Sequence, residues 1–219
     1  MKAMPGFGRV LARLFTLQAA WSYERMQGVG FGHAAEPALR ALEGGAGGPR
    51  YRAALARQSQ FFNAHPYFAG LAVGAAVRAE VDGEPPERIA RLREALCGPL
   101  GALGDRLFWA SWLPVCSALA LIAFVFGARV WAALLFLVLY NAAHLACRVW
   151  ALRAGWNRGM AVAGALSTPV LRLLGRVAAP LAGVVVGAAL LYLTRGRVGG
   201  VMLAALMLGV TWIAGLISW

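Results

Sequence analysis

The feature that most constrains the fold of this chain is the absence of any acidic residue after Asp105. Four apolar runs follow that residue, at 107–127, 130–147, 177–194 and 198–219. A helix rises about 1.5 Å per residue, so runs of roughly 20 residues are long enough to cross about 30 Å of hydrocarbon. The pattern predicts an all-α integral membrane protein with about four transmembrane helices in two hairpins.

Composition supports a membrane protein and accounts for the strong positive charge. Hydrophobic residues make up 60% of the chain, whereas soluble domains contain about 45–50%. Net charge is +12, from 21 basic and 9 acidic residues. Arginine and lysine gather in cytoplasmic loops of membrane proteins, and the segment 148–176 contains five arginines and no acid. This segment is the predicted cytoplasmic loop, both chain ends are placed on the same side, and no nucleic-acid partner is expected.

The region 1–106 is expected to be helical and to lie partly at the membrane surface. Near its start, an apolar stripe at helical spacing is flanked by arginines and favours an interfacial amphipathic helix. The apolar segment 67–77 has only 11 residues, which is too short to span a bilayer. It is interpreted as part of a re-entrant element over 61–77, or as a buried helix of the soluble type. The predicted division is an N-terminal region, 1–106, and a transmembrane region, 107–219.

The stretch 97–109 separates these two regions and contains three glycines, a proline and Asp105. Glycine permits irregular backbone, and such backbone survives at membrane depth only where protein or a water-filled cavity shields it. A single acid in that position is a functional candidate. The alternative interpretation is a helix that Gly98-Pro99 ends, then a turn and a new helix.

Two polar residues, Asn141 and His144, lie within the second apolar run, three residues apart on one helix face. Polar groups inside a transmembrane helix face the bundle, a partner or a cavity. The alternative role is a simple helix–helix hydrogen bond. No histidine has a neighbouring carboxylate or hydroxyl in a catalytic arrangement, so no catalytic residue, cofactor or metal site is predicted.

Four stretches together resemble one known family of membrane proteins. They are 17–27 (LQAAWSYERMQ), 61–67 (FFNAHPY), 98–109 (GPLGALGDRLFW) and 134–148 (LLFLVLYNAAHLACR), called motifs 1 to 4 below. Their order and content are similar to the IID component, the D-type membrane protein of the mannose/fructose/sorbose class of bacterial sugar phosphotransferase systems. The resemblance covers residues 7–158 nearly continuously, and four ordered motifs make it specific.

The resemblance implies a transport role without catalysis by this chain. In such systems, a C-type and a D-type protein form a membrane complex that carries the hexose, while histidines of separate A and B subunits carry the phosphoryl group. The implied location is the bacterial inner membrane, with a cytoplasmic N-terminus and a higher oligomer of C–D pairs. Sugar hydroxyls need amide, imidazole or carboxylate partners. Five residues are therefore expected to line the sugar path or the C–D interface: Asn63, His65, Asp105, Asn141 and His144.

Departures from the family pattern leave a second function open. Leu113 stands before Pro114, where the family usually has an arginine. The C-terminal half also looks shortened relative to the family, between about Met160 and Arg197. The alternative hypothesis is a degenerate subunit with an assembly or regulatory role and no transport of its own.

Overall fold

The computed structural model describes residues 3–194, and helices account for most of them. The first half contains α1 (Phe7–Leu14), α2 (Gly28–Leu39), α3 (Pro49–Gln58), α4 (Ala69–Asp82) and α5 (Pro86–Gly104). The chain then passes through a π-helical segment (Asp105–Trp112), α6 (Leu113–Ala123), a second π-helical segment (Phe124–Ala128) and α7 (Val130–Arg158). Helices α8 (Ala163–Leu166) and α9 (Pro169–Leu193) complete the described residues. The prediction of an all-α fold is confirmed.

Three helical stretches are long and apolar enough to cross a membrane: Pro86–Ala128, Val130–Ala161 and Pro169–Leu193. They contain nearly all of the first three predicted apolar runs. The charged residues of the first stretch end at Arg106, so its apolar part begins where the sequence pattern places it. The fourth predicted run, 198–219, lies outside the described residues, and the re-entrant element over 61–77 stays a prediction.

Helix α7 extends beyond the predicted transmembrane run, which corrects the loop predicted at 148–176. The helix continues to Arg158 and α9 begins at Pro169, so only ten residues of irregular or short helical structure, 159–168, separate them. The last turns of α7 contain three buried side chains: Ala151, Leu152 and Trp156. Burial of these side chains therefore stabilises helix in residues 148–158, although the arginines of this segment favour exposure to water.

The chain divides into two compact units. The first contains the residues up to Gly104 together with Leu145–Thr168. The second contains Asp105–His144 and, of the described residues, 169–194. Motifs 1 and 2 lie wholly in the first unit, whereas motifs 3 and 4 contribute residues to both.

Helix α4 forms the centre of the first unit. Residues 69–77 are all buried, as expected for a helix that is apolar on every side. A Cβ placed on Gly74 would lie 2.5 Å from the carbonyl oxygen of Leu152 in α7. A Cβ placed on Gly155 of α7 would lie 2.1 Å from the carbonyl oxygen of Leu71. Glycines on both facing surfaces therefore permit the two backbones to approach closely.

Glu36 of α2 joins three helices through its carboxylate. It accepts hydrogen bonds from Arg13 of α1 at 2.7 Å, from Tyr51 of α3 at 2.9 Å and from Arg40 at 2.5 Å. Burial alone raises the pKa of Glu36, but the hydrogen bonds from Arg40, Tyr51 and Arg13 outweigh burial and lower the pKa. The carboxylate is therefore charged at neutral pH and holds α1 and α3 against α2.

A second polar cluster holds α3 against α4 and α5. Buried Glu80 of α4 accepts two hydrogen bonds from Arg57, each 2.9 Å long, and one from Gln58 at 2.6 Å. Arg93 of α5 donates three hydrogen bonds of 2.6 to 3.1 Å, to two carbonyl oxygens at the end of α3 and to a third just beyond it. Its guanidinium also lies 4.6 Å from the centre of the Phe31 ring. Arg93 thus caps the C-terminal end of α3, where helix carbonyls lack partners within the helix.

The prediction that Gly98-Pro99 ends a helix is wrong. Helix α5 continues through both residues to Gly104, and the backbone stays helical beyond it. Leu96 and Leu100, four residues apart, are both buried on one side of this helix. Burying two leucines stabilises by roughly 3–6 kcal/mol, which offsets the cost of about 3 kcal/mol for a proline inside a helix.

The second unit contains close packing between α9 and the segment 105–123. The buried face of α9 consists of small residues: Gly175, Ala179, Ala182, Gly183, Gly187 and Ala189. The Arg106 guanidinium donates to the carbonyl oxygen of Gly175 at 3.0 Å. The indole N–H of Trp112 donates to the carbonyl oxygen of Leu139 at 3.2 Å and so links this segment to α7.

We expect Gly155→Ala to destabilise the first unit. The added methyl would meet the carbonyl oxygen of Leu71 at 2.1 Å, so α4 and α7 must separate, and overpacking of this kind costs about 1–3 kcal/mol. Thermal unfolding of the purified chain in detergent should show a lower Tm. Gly101→Ala is the matched control, because nothing lies within 4 Å of the Cβ position there. An equal fall in Tm for both variants would contradict the packing argument.

Candidate functional site

Motif 2 is an irregular segment between α3 and α4 that motif 1 holds in place. The backbone N–H of Gln27 donates to the carbonyl oxygen of Phe62 at 2.8 Å. The backbone N–H of Phe62 in turn donates to the carbonyl oxygen of Arg25 at 3.3 Å. The Gln27 side chain completes the connection, since its amide donates to the carbonyl oxygen of Ala64 at 2.7 Å and accepts from the N–H of Ala64 at 3.3 Å. Gln27 is buried, so these bonds are shielded from water.

His65 of motif 2 is a packed residue inside the first unit. It is 2% exposed, and the backbone N–H of Tyr67 donates to its Nδ1 at 3.3 Å. Gly104 of motif 3 lies against the imidazole so closely that a Cβ there would meet the ring at 2.2 Å. Burial, together with the positive charge of Arg148, lowers the pKa of His65 to about 4. The imidazole is therefore neutral at physiological pH.

Arg148, at the end of motif 4, also contacts motif 2. It is 6% exposed, and its guanidinium donates to the carbonyl oxygen of Leu14 at 2.7 Å. The same guanidinium lies 4.8 Å from the ring centre of Phe15 and 5.0 Å from that of Tyr67. A carbonyl at the end of α1 and two aromatic faces thus surround the charge.

These contacts form one cluster, which we call the motif junction: Gln27, Ala64, His65, Tyr67, Gly104 and Arg148. Each of the four motifs contributes at least one residue to it. Among the six, only His65 was predicted as a site residue. The others stand inside the motifs, but their pairing depends on contacts across as many as 81 residues of sequence, from Tyr67 to Arg148, which no local pattern reveals.

The five predicted site residues differ in their surroundings. Asn63 belongs to the first unit and is exposed, next to the buried pair Ala64 and His65. Asp105 begins the second unit, at the first π-helical residue, and is also exposed. This acid therefore lies in continuous helical backbone, which differs from both interpretations of the stretch 97–109.

Asn141 and His144 are brought together by the structure. The Asn141 amide donates to the carbonyl oxygen of Leu137 at 2.6 Å, and its side-chain oxygen lies 2.9 Å from Nε2 of His144. Both residues belong to α7, so their shared bond lies within one helix. Asn141 is exposed and His144 is partly exposed, which leaves a polar patch on an apolar helix surface.

This arrangement of side chains can donate and accept hydrogen bonds. Among residues 3–194, no group of three or more histidine, cysteine or acidic side chains lies close enough to hold a metal ion. The exposed groups Asn63, Asp105 and Asn141 are an amide, a carboxylate and a second amide. Such groups suit recognition of a polar ligand or of a partner.

The fold defines the class of protein, a helical integral membrane protein. Residues 6–195 match the family described as the PTS system mannose/fructose/sorbose family IID component. The chain belongs to this family, which confirms the resemblance seen in the four motifs.

Individual relatives agree with this assignment. The chain is 30% identical over 187 residues to the mannose-specific EIID component of Escherichia coli K12, a match that covers 82% of this chain and 64% of the relative. It is 29% identical over 151 residues to the fructose permease IID component of Bacillus subtilis 168. That match covers 67% of this chain and 54% of the relative. The chain thus spans less than two thirds of the length of either relative.

A solved structure supports the same fold. The mannose transporter ManYZ, in complex with microcin E492, contains a chain that matches with a TM-score of 0.67 and 28% identity. The match covers 87% of this chain and 70% of that one.

The lowered pKa of His65 predicts how stability depends on pH. Folding favours the neutral imidazole, so its contribution is complete above the ordinary pKa of 6.5 and is lost as pH falls towards about 4. Across that window the unfolded chain binds a proton that the folded chain does not, and the free energy of unfolding falls by at most about 1.4 kcal/mol per pH unit. Unfolding in denaturant at several pH values measures this slope.

His65→Gln should reduce the slope between pH 4 and 6.5, whatever it does to stability at neutral pH. His33→Gln provides the matched control, because His33 is exposed. If the wild-type slope persists in His65→Gln, the histidine does not cause the pH dependence.

Proposed function

We propose that this chain is the D-type membrane subunit of a sugar phosphotransferase transporter of the mannose/fructose/sorbose class. It forms the sugar-translocating complex with a C-type subunit, and C–D pairs assemble into a higher oligomer in the bacterial inner membrane. The observation that carries the proposal is the family match over residues 6–195. The likeness to a chain of the ManYZ mannose transporter supports it.

The sugar path and the C–D interface are assigned to the polar residues exposed on the two units. Asn63, Asp105 and Asn141 offer hydrogen-bonding groups at exposed positions, and His144 is held by Asn141. His65 is buried in the motif junction, so its assigned role is to support the loop that presents Asn63. A hexose is the proposed substrate, because its hydroxyls both donate and accept hydrogen bonds.

The chain takes no phosphoryl group in this proposal. A phosphoryl-accepting histidine must reach a donor protein, and two of the three histidines are poorly placed for this: His65 is enclosed by the motif junction, and His144 shares a hydrogen bond with Asn141 on an apolar helix. Soluble A and B subunits carry the phosphoryl group instead.

The proposed orientation places the N-terminus in the cytoplasm. Arg106, Arg172 and Arg176 precede the apolar parts of their helices, whereas Arg129 stands alone at the turn between α6 and α7. Basic residues favour the cytoplasmic side, so the three arginines face the cytoplasm and the turn at Arg129 faces outward.

Co-expression with a C-type subunit tests the proposal directly. The complex is purified through a tag on this chain in mild detergent, and radiolabelled mannose is offered to the eluate. A stable pair that binds sugar is the expected result. A stable pair that binds no mannose or other hexose would favour the degenerate, regulatory subunit, and no pair at all would contradict the proposal.

We expect Asp105→Asn to impair sugar uptake while the protein stays in the membrane. The change keeps the size of the side chain and removes its charge, so a hydrogen bond from a sugar hydroxyl to a carboxylate, worth about 1.5–3 kcal/mol, is weakened. Uptake by cells that depend on this chain should fall by about tenfold or more.

Asp82→Asn is the control for this experiment, because Asp82 is an exposed acid paired with Arg78 at 2.6 Å in the first unit. Unchanged uptake in Asp105→Asn would mean that this carboxylate contacts neither the sugar nor the partner.

A further inference from the structure

Asn63, one of the exposed polar residues that the proposed function assigns to recognition, lies between two buried residues of motif 2. Phe62 and Ala64 are both buried, whereas Asn63 is exposed. The direction of a side chain on an irregular segment depends on the φ and ψ angles of its own residue. Because each peptide unit is planar, the two peptide units on either side of a Cα atom fix both angles. The hydrogen bonds of these two peptide units therefore determine where the Asn63 amide points.

Gln27 of motif 1 holds the first of these peptide units through its backbone. The carbonyl oxygen of Phe62 belongs to the peptide unit that precedes the Cα atom of Asn63. This oxygen accepts the backbone N–H of Gln27 at 2.8 Å. The bond does not involve the side chain at position 27, so a substitution there leaves its donor and its acceptor in place.

Gln27 holds the second peptide unit through its side chain. The N–H of Ala64 belongs to the peptide unit that follows the Cα atom of Asn63, and it donates to Oε1 of Gln27 at 3.3 Å. The amide nitrogen of the same side chain donates to the carbonyl oxygen of Ala64 at 2.7 Å. A primary amide offers a donor and an acceptor side by side, so one side chain bonds both backbone groups of Ala64. A single residue thus holds both peptide units that flank Asn63.

Gln27 is itself held in place at the start of α2. Its carbonyl oxygen accepts the backbone N–H of Phe31 at 2.8 Å, in the first turn of the helix. A Cβ placed on the next residue, Gly28, would lie 2.1 Å from the carbonyl oxygen of Gln60, so glycine there permits α2 to begin directly against the segment that leads into motif 2. Gln27 is 3% exposed, so its side-chain bonds form away from water and are stronger for it.

We propose that Gln27 is a positioning residue for sugar recognition, which sets the direction of the Asn63 amide without touching the sugar. The proposal rests on the proposed function, because it takes Asn63 to be a hydrogen-bonding partner of the hexose. The Gln27 side chain is buried and bonded to Ala64, so its effect on the sugar passes through Asn63. A sugar hydroxyl bonds well only when the amide that meets it has the correct direction.

A double-mutant cycle tests this role. The full-length chain is co-expressed with a C-type subunit, and the affinity of the purified pair for radiolabelled mannose is measured for the wild type, Gln27→Met, Asn63→Ala and the double variant. Methionine keeps the unbranched shape of glutamine and removes the amide. Each single variant should weaken mannose binding by about three- to tenfold, the loss expected for one hydrogen bond. In the Asn63→Ala background, Gln27→Met should change binding by less than about twofold, because the side chain that it positions is gone.

Two further variants separate positioning from stability. Gln27→Asn keeps a buried amide but is one methylene shorter, so it cannot make both bonds to Ala64 and should show the same dependence on Asn63. Gln58→Met is the matched control, since Gln58 is another buried glutamine of the first unit, and its amide donates to Glu80 rather than to motif 2. This control should bind mannose as the wild type does. Retention of the C-type subunit during purification shows that a variant has folded.

The outcomes distinguish the positioning role from the proposed function. Equal fractional losses from Gln27→Met in both backgrounds, or an equal loss in Gln58→Met, would mean that Gln27 only stabilises the fold and would overturn the positioning role. Unchanged binding in Gln27→Met or in Asn63→Ala would overturn it as well. In each of these cases the wild-type pair still binds mannose, and the proposed function stands. A wild-type pair that binds neither mannose nor another hexose would overturn the proposed function and this inference with it.

Discussion

The buried arginines of the first unit, Arg93 and Arg148, contact helix C-termini and aromatic rings rather than carboxylates. The packing of the helices around them depends on these contacts. Arg93 caps the end of α3 and lies over Phe31, while Arg148 bonds the end of α1 and lies over Phe15 and Tyr67. Helix C-termini carry partial negative charge, and ring faces attract cations. An unpaired buried charge costs several kcal/mol. The fold is therefore stable only when each arginine's helix lies where its guanidinium can reach these partners.

Close approach of small residues is the second constraint, and it operates in both units. In the first, glycines of α4 and α7 face each other, with Gly155 against the backbone of Leu71. In the second, the buried face of α9 contains only glycine and alanine. Lipid chains are as apolar as leucine, so helices in a membrane gain little from apolar burial alone and depend on close van der Waals packing. Many large apolar side chains of the second unit, such as Phe124, Trp131 and Leu181, lie at its surface.

The motifs that identify the family contain residues that hold the fold together. Their residues form the motif junction, where Gln27 holds the loop at Ala64 and Gly104 lies against His65. Polar side chains proposed to meet the sugar or the partner, such as Asn63, stand beside this junction at exposed positions. A rigid interior that presents a few exposed polar groups is the arrangement expected of a recognition site.

The amino-acid sequence alone determined the class of protein, the first three apolar helices and the family, because hydrophobic length, charge sign and ordered motifs are properties of the chain itself. Tertiary contacts determined where two helices end, which local patterns predicted wrongly. Leu96 and Leu100 are buried, so α5 passes through Pro99, and α7 packs against α4, so it continues beyond Arg148. The pairing of His65 with Gly104 also required the fold, because steric and electrostatic contacts between distant residues exist only once the helices have packed.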